Sequence, residues 1–97
     1  MHARVITVHS TPSKMEQAIS TYETSVIPEA SKLPGFKNAF LLVKASTGEG
    51  VSIVLWETEA DMIAGEDSEY LKNQITKFGA IFDATPVIEH YEVRASG

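Results

Sequence analysis

The chain has 97 residues, of which 43% are hydrophobic and 22% charged. This composition is typical of a globular protein and unlike that of disordered chains, so we treat residues 1–97 as one domain. Its net charge of -5 at pH 7 disfavours nucleic acid as a partner, because phosphate backbones attract lysine and arginine. Cysteine is absent, which excludes disulfides and thiolate metal sites.

The longest apolar run, Ala39–Val43, is far below the roughly 20 residues that a membrane-spanning helix needs. The opening residues also lack the apolar segment of a secretory signal. We therefore expect a cytoplasmic protein without a membrane partner.

The first third of the chain predicts a strand followed by a helix. The strand covers His2–Ser10 and is rich in β-branched residues. Thr11 and Pro12 are typical of the N-cap and first position of a helix, and Pro28 predicts a kink or restart before the helix ends near Leu33. The apolar positions of this helix recur at spacings of three and four, as a buried stripe does. They are Met15, Ala18, Ile19, Tyr22 and Val26.

The remaining elements are a hairpin, two helices and a final strand. Strands are predicted at Phe36–Ala45 and Val51–Trp56, around a glycine-containing turn. Thr58 begins a short helix that Gly65 weakens, a longer helix follows from about Ser68, and the last strand is Val87–Arg94. The stripe of the longer helix is Leu71, Ile75, Phe78 and Phe82. The order β-α-β-β-α-β predicts an α+β, ferredoxin-like fold with a four-stranded antiparallel sheet.

Both middle strands are apolar on both faces. Alternation puts Phe36, Phe40 and Leu42 on one face of the second strand and Ala39, Leu41 and Val43 on the other. In the third strand, Val51, Ile53 and Leu55 oppose Val54 and Trp56. Two helices can cover only one face of the sheet, so we expect a second copy of the chain to cover the other. We expect Trp56 to face the helices.

Three segments resemble those of a known protein family. They are the opening strand with Thr11-Pro12-Ser13-Lys14, the turn Leu33-Pro34-Gly35-Phe36, and Ile53-Val54-Leu55-Trp56-Glu57-Thr58. In this order and spacing the chain resembles the dimeric α/β-barrel superfamily, and most closely its antibiotic biosynthesis monooxygenase family. The resemblance implies a homodimeric barrel with a pocket between sheet and helices in each subunit. The activities of the family range from cofactor-free oxygenation of polycyclic aromatic compounds to haem degradation.

Six residues are candidates for the pocket that this resemblance implies. They are Trp56, Asn38, His9, Tyr22, Tyr70 and Gln74. Trp56 can stack on an aromatic substrate or anchor the core. Tyr22 is also a member of the first helical stripe, Tyr70 a candidate for the surface at a helix start, and Asn38 a candidate for a solvated strand residue. His9, with His90 on the neighbouring strand, is either an acid–base group or a structural residue.

Cofactor and metal chemistry are not expected. The haem-degrading branch of the family uses an asparagine in the first strand and a histidine on the last long helix, where this chain has Val5 and Gln74. The acids between Glu57 and Glu69 are explained by the starts of two helices, where negative charge is favoured. Arg4 and Arg94, expected at one end of an outer strand pair, either bind an anion or keep the sheet edge soluble.

The sequence is compatible with two functions. One is a cofactor-free monooxygenase of the antibiotic-biosynthesis type, acting on a small hydrophobic aromatic substrate. The other is a non-catalytic homodimer that binds a small ligand or serves in a stress response. The fold alone does not separate them.

Overall fold

A computed structural model describes all 97 residues. The elements, in chain order, are β1 (His2–His9), α1 (Met15–Thr21), α2 (Ile27–Ala30), β2 (Phe36–Lys44), β3 (Glu49–Trp56), α3 (Glu59–Asp67), α4 (Glu69–Phe78) and β4 (Val87–Glu92). None of the helices combines the length and the apolar character that crossing a membrane would require.

The four strands form one antiparallel sheet in the order β2-β3-β1-β4. This order confirms the predicted ferredoxin-like arrangement and the predicted pairing of the first strand with the last. It also places β1 and β3 inside the sheet and leaves β2 and β4 at its edges. The prediction that β1 and β4 are an outer pair was therefore wrong for β1.

The first helical segment is interrupted in the middle by a π turn. A 3-10 turn at Pro12–Lys14 leads into α1, and the π turn Tyr22–Val26 joins α1 to α2. Pro28 has no N–H for the carbonyl four residues before it, and the wide turn lies immediately ahead of this position. The irregularity that Pro28 predicts is thus present, about one turn earlier than expected. It directs Tyr22 and Val26 inward, and both are buried.

The helices cover one face of the sheet, where the apolar core lies. Trp56 belongs to this face and is fully buried, as predicted. A bulge between Phe36 and Asn38 shifts the register of β2, so Phe36 pairs with Trp56 and meets it edge to face at 6.1 Å between ring centres. Phe36 therefore lies with the helices, and its predicted grouping with Phe40 was wrong because alternation breaks at a bulge.

Helix α4 presents a different stripe from the one predicted. Leu71 and Phe78 are buried as expected, but Gln74 takes the inward position between them. Ile75 remains 41% exposed. The helix ends at Phe78, so Phe82 lies beyond it, in an isolated bridge to Ser10.

Candidate ligand pocket

A pocket lies between the helix-covered face of the sheet and the helices. Its cavity volume is about 70 Å³ when the open solvent at its mouth is left out, and 14 of its 21 lining residues are hydrophobic. The walls come from β1, the π turn and α4, for example Ile6, Val26 and Phe78. Along β1 and the residue that follows it, the lining runs from Arg4 to Ser10, which is roughly 20 Å of extended chain. Such a pocket suits a ring compound with few polar groups.

Tyr22 supplies a fixed hydroxyl to the sheet side of the pocket. The π turn carries it inward, and its hydroxyl donates to the Phe40 carbonyl at 3.0 Å. The Ser52 hydroxyl then donates to the Tyr22 oxygen, also at 3.0 Å. Burial raises the pKa of Tyr22, against the opposing effects of this hydrogen bond and of Arg4. Tyr22 is therefore neutral at physiological pH.

Tyr70 and Gln74 enter the pocket from α4. Burial raises the pKa of Tyr70 to about 12, so at neutral pH its hydroxyl keeps its proton and can act as a donor. The Gln74 amide donates to the Glu29 carboxylate and accepts from Ser25 Oγ at 3.4 Å. These bonds fasten α4 to α2 and the π turn, so Gln74 is held in place by its own protein partners.

Arg4 is the only charged side chain among the lining residues. Only 1% of the residue is exposed. Its Nη1 donates to the Met62 carbonyl at 3.3 Å, and its guanidinium carbon lies 5.3 Å from the centre of the Trp56 ring, in cation–π contact. Its Nε has no hydrogen-bond partner. Burial lowers the pKa of Arg4, with Tyr70, Glu66 and Tyr22 acting in the opposite direction, and an arginine stays protonated at neutral pH.

Arg4 was not predicted to line the pocket. Arg4 and Arg94 were expected on an outer strand pair, whereas β1 is an inner strand and Arg94 is largely exposed. Two features of the sequence together indicate that Arg4 lies in the pocket. Arg4 shares its strand face with Ile6 and Val8, and the ferredoxin-like order makes the first strand central.

Three of the six candidate residues therefore line the pocket, and three do not. Tyr22, Tyr70 and Gln74 are lining residues, whereas Trp56, Asn38 and His9 lie elsewhere. Trp56 lies behind Arg4 in a core cluster with Val54 and Met62. Trp56 therefore has the position of a core anchor, the second of the two roles predicted for it.

Asn38 and the histidines are also separate from the pocket. Asn38 is exposed on the open face of the sheet, which is the face that the helices leave uncovered, and it pairs with Leu55. His9 bonds the Asp83 carboxylate at 2.6 Å, and His90 bonds Glu66 at 2.8 Å. His90 pairs with Arg4, whereas His9 ends the strand at the far end of the sheet, so the two histidines do not meet.

The chemistry available in the pocket follows from its lining. Hydroxyl groups, one amide and one guanidinium are present, but no carboxylate or imidazole belongs to it. No group of three or more histidine, aspartate or glutamate side chains is placed to hold a metal ion. The pocket can bind and orient a ring compound and can donate hydrogen bonds to it.

No protein-family model and no curated protein sequence matches the chain. Solved structures do. A monooxygenase of Streptomyces coelicolor, solved in complex with nanaomycin D, superposes with a TM-score of 0.82 at 16% identity, over 98% of this chain and 88% of that one. A protein of Deinococcus radiodurans, described as a candidate antibiotic biosynthesis monooxygenase, gives a TM-score of 0.81 at 11% identity, over 99% of this chain and 95% of that one.

A similar candidate monooxygenase from Nitrosomonas europaea gives a TM-score of 0.79 at 14% identity, over 98% of this chain and all of that one. Identities this low carry the fold and not the substrate or the reaction. The likeness extends over almost the whole length of each chain, as the resemblance in the sequence predicts. This chain has the fold of the antibiotic biosynthesis monooxygenases.

Proposed function

We propose that the chain is a cofactor-independent monooxygenase that acts on a small hydrophobic aromatic substrate in this pocket. The observation that carries the proposal is the pocket itself, with apolar walls and a few buried hydrogen-bond donors. The similar fold of the Streptomyces coelicolor monooxygenase, solved with nanaomycin D, supports it.

Without a cofactor, the substrate must itself supply the electrons. An anthrone illustrates the balance. Its ring CH₂ group becomes a carbonyl, one atom of O₂ enters the product, and the other atom leaves as water with the two hydrogens. The protein then needs to hold the ring, exclude water and stabilise charge that develops on the substrate oxygen. Tyr70, whose hydroxyl keeps its proton, is the donor we assign to that oxygen.

A second function is favoured by one specific observation. The pocket contains no carboxylate and no imidazole, which are the usual groups that remove a proton from a substrate. A protein that only binds or carries an aromatic ligand needs no such base. We therefore keep a non-catalytic binding protein as the alternative.

Oxygen uptake separates the two functions. With purified, metal-free protein and a panel of anthrones and quinols, the enzyme hypothesis predicts consumption of one O₂ per product formed. Tyr70→Phe should lower kcat/KM about 2- to 10-fold, the effect of one lost hydrogen bond. Thr76→Val is the matched control, because it removes an exposed hydroxyl from the same helix, one that donates to the Lys72 carbonyl and lies outside the pocket. Binding without oxygen uptake across the panel would favour the alternative.

We also propose that the chain functions as a homodimer, joined through the face of the sheet that the helices leave uncovered. Phe40 and Leu42 of β2 and Val87 and Tyr91 of β4 are among the most exposed large hydrophobic residues. The strand register places all four on this uncovered face. A second copy would bury them and complete the barrel that the family resemblance implies.

A further inference from the structure

The pocket contains a buried positive charge that lacks a negative partner. Arg4 takes part in none of the ion pairs of the chain, which lie mainly at the surface. Glu66 is the carboxylate whose charge most favours the charged form of Arg4, but it pairs with His90 instead. Burying a charge is costly unless the charge is paired and fully hydrogen-bonded.

The neutral groups around Arg4 satisfy it only in part. The Met62 carbonyl accepts from Nη1 and the Trp56 ring lies against the guanidinium, yet Nε still has no acceptor. Tyr70 and Tyr22 cannot serve as counter-ions, because burial keeps both hydroxyls protonated. An arginine fork of this kind matches the two oxygens of a carboxylate and also binds a single phenolate oxygen.

We propose that the pocket recognises an aromatic compound bearing one oxyanion, a carboxylate or an ionised acidic phenol, and that Arg4 binds the oxyanion. The inference rests on the proposed function, since it requires that the pocket receive an aromatic ligand. The apolar lining from Ile6 toward Phe78 holds the rings, while Arg4 supplies the missing charge at one end. The negative charge of the ligand thus becomes part of its specificity.

A matched pair of ligands tests the proposal on the wild-type protein. Naphthoate and naphthamide have nearly the same shape, but only naphthoate is an anion at neutral pH. Isothermal titration calorimetry should show naphthoate binding about 10- to 100-fold more tightly, the range expected for a hydrogen bond to a charged group. Equal affinity, or tighter binding of naphthamide, would overturn the proposal.

Substitutions of Arg4 assign the preference to this residue. Arg4→Met should remove the preference for naphthoate, while Arg4→Lys should keep part of it because the charge remains. Arg94→Met is the control, because it removes a cation whose side chain is 83% exposed at the end of the chain, and it should leave both affinities unchanged. A preference that survives Arg4→Met would contradict the assignment.

Arg4 also packs on Trp56, so Arg4→Met carries a risk of misfolding. In that event the wild-type ligand pair and Arg4→Lys still decide the question. The preference for naphthoate over naphthamide is then measured for the wild type and for Arg4→Lys over a range of salt concentrations. If the two proteins show the same preference at every salt concentration, Arg4 does not contact the oxyanion directly. If the protein binds both ligands equally, the proposed function stands and this inference fails. If it binds neither, the pocket does not receive aromatic ligands and both fail.

Discussion

The Trp56 ring packs so closely against α3 that position 65 has room only for a glycine. Gly65 lies within α3, where glycine weakens a helix by about 1 kcal/mol relative to alanine. A Cβ at this position would lie only 2.8 Å from Cη2 of Trp56. The indole thus occupies the space that any larger residue would need. Its Nε1 has no hydrogen-bond partner, so Trp56 contributes to the core through packing.

We expect Gly65→Ala to destabilise the protein, although alanine is the better helix former. Overpacking of a core costs about 1–3 kcal/mol, against a gain of about 1 kcal/mol in helix propensity. Urea denaturation followed by circular dichroism should therefore show a lower free energy of unfolding, by up to about 2 kcal/mol.

A double-mutant cycle identifies the cause of this loss. Trp56→Phe removes the outer atoms of the indole, so Gly65→Ala should be tolerated, or even be stabilising, in that background. The cost of Gly65→Ala should remain in full if the contact with Trp56 is not responsible. Trp56→Ala alone should cost about 3–5 kcal/mol through the cavity that it leaves.

At the scale of elements, local patterns were sufficient for most of the fold. Three of these patterns have local causes, namely strand alternation, the proline and glycine positions, and the helix cap at Thr58. In this cap the Thr58 Oγ1 accepts a hydrogen bond from the Asp61 N–H. The predictions that failed concern residues whose partners are distant in sequence. Packing, and not periodicity, determines the bulge that turns Phe36 toward Trp56 and the burial of Gln74 beside Glu29. Packing also determines the place of Arg4 in the pocket, where it contacts Met62 and Trp56.

A pair of contacts joins the end of β1 to the segment that follows α4. The His9 carbonyl accepts from the Asp83 N–H at 3.0 Å, and the His9 ring bonds the Asp83 carboxylate at 2.6 Å. The hydrogen bond to Asp83 raises the pKa of His9 above its usual value of 6.5, against the opposing effect of burial. The strength of this junction should therefore depend on pH.

The sign of the dependence follows from the raised pKa. Protonated His9 is favoured in the folded state, so its stabilisation is fully present below the unfolded-state pKa of about 6.5 and is lost as the pH rises through the higher folded-state pKa. We expect His9→Gln to reduce the free energy of unfolding more at about pH 6 than at about pH 9. The measurement is urea denaturation at a series of pH values.

The partner residue provides the control for this pH effect. In an Asp83→Asn background, His9→Gln should have nearly the same effect at every pH, because the carboxylate that raises the pKa is gone. Identical pH dependence in both backgrounds would show that Asp83 is not the cause.

At the scale of the whole molecule, the two faces of the sheet differ in what covers them. The helices bury one face, whereas on the other face Leu42 is 54% exposed and Val87 is 55% exposed. Val51, Ile53 and Leu55 lie half-buried at the centre of that open face. Contiguous apolar surface of several hundred Å² is unusual on a monomer. At about 25 cal/mol per Å², covering it with a second copy contributes hydrophobic free energy that offsets the entropic cost of association.

We expect sedimentation to give about twice the chain mass of 10.6 kDa at micromolar concentration. Ile53→Lys or Leu55→Lys places a charge at the centre of the proposed interface and should yield a monomer or an insoluble protein. Ile63→Lys is the matched control, because Ile63 is 43% exposed but lies on α3, away from the open face. It should leave the dimer intact. A folded wild-type chain that stays monomeric and freely soluble would contradict the interface, because its apolar face would then be stable in contact with water.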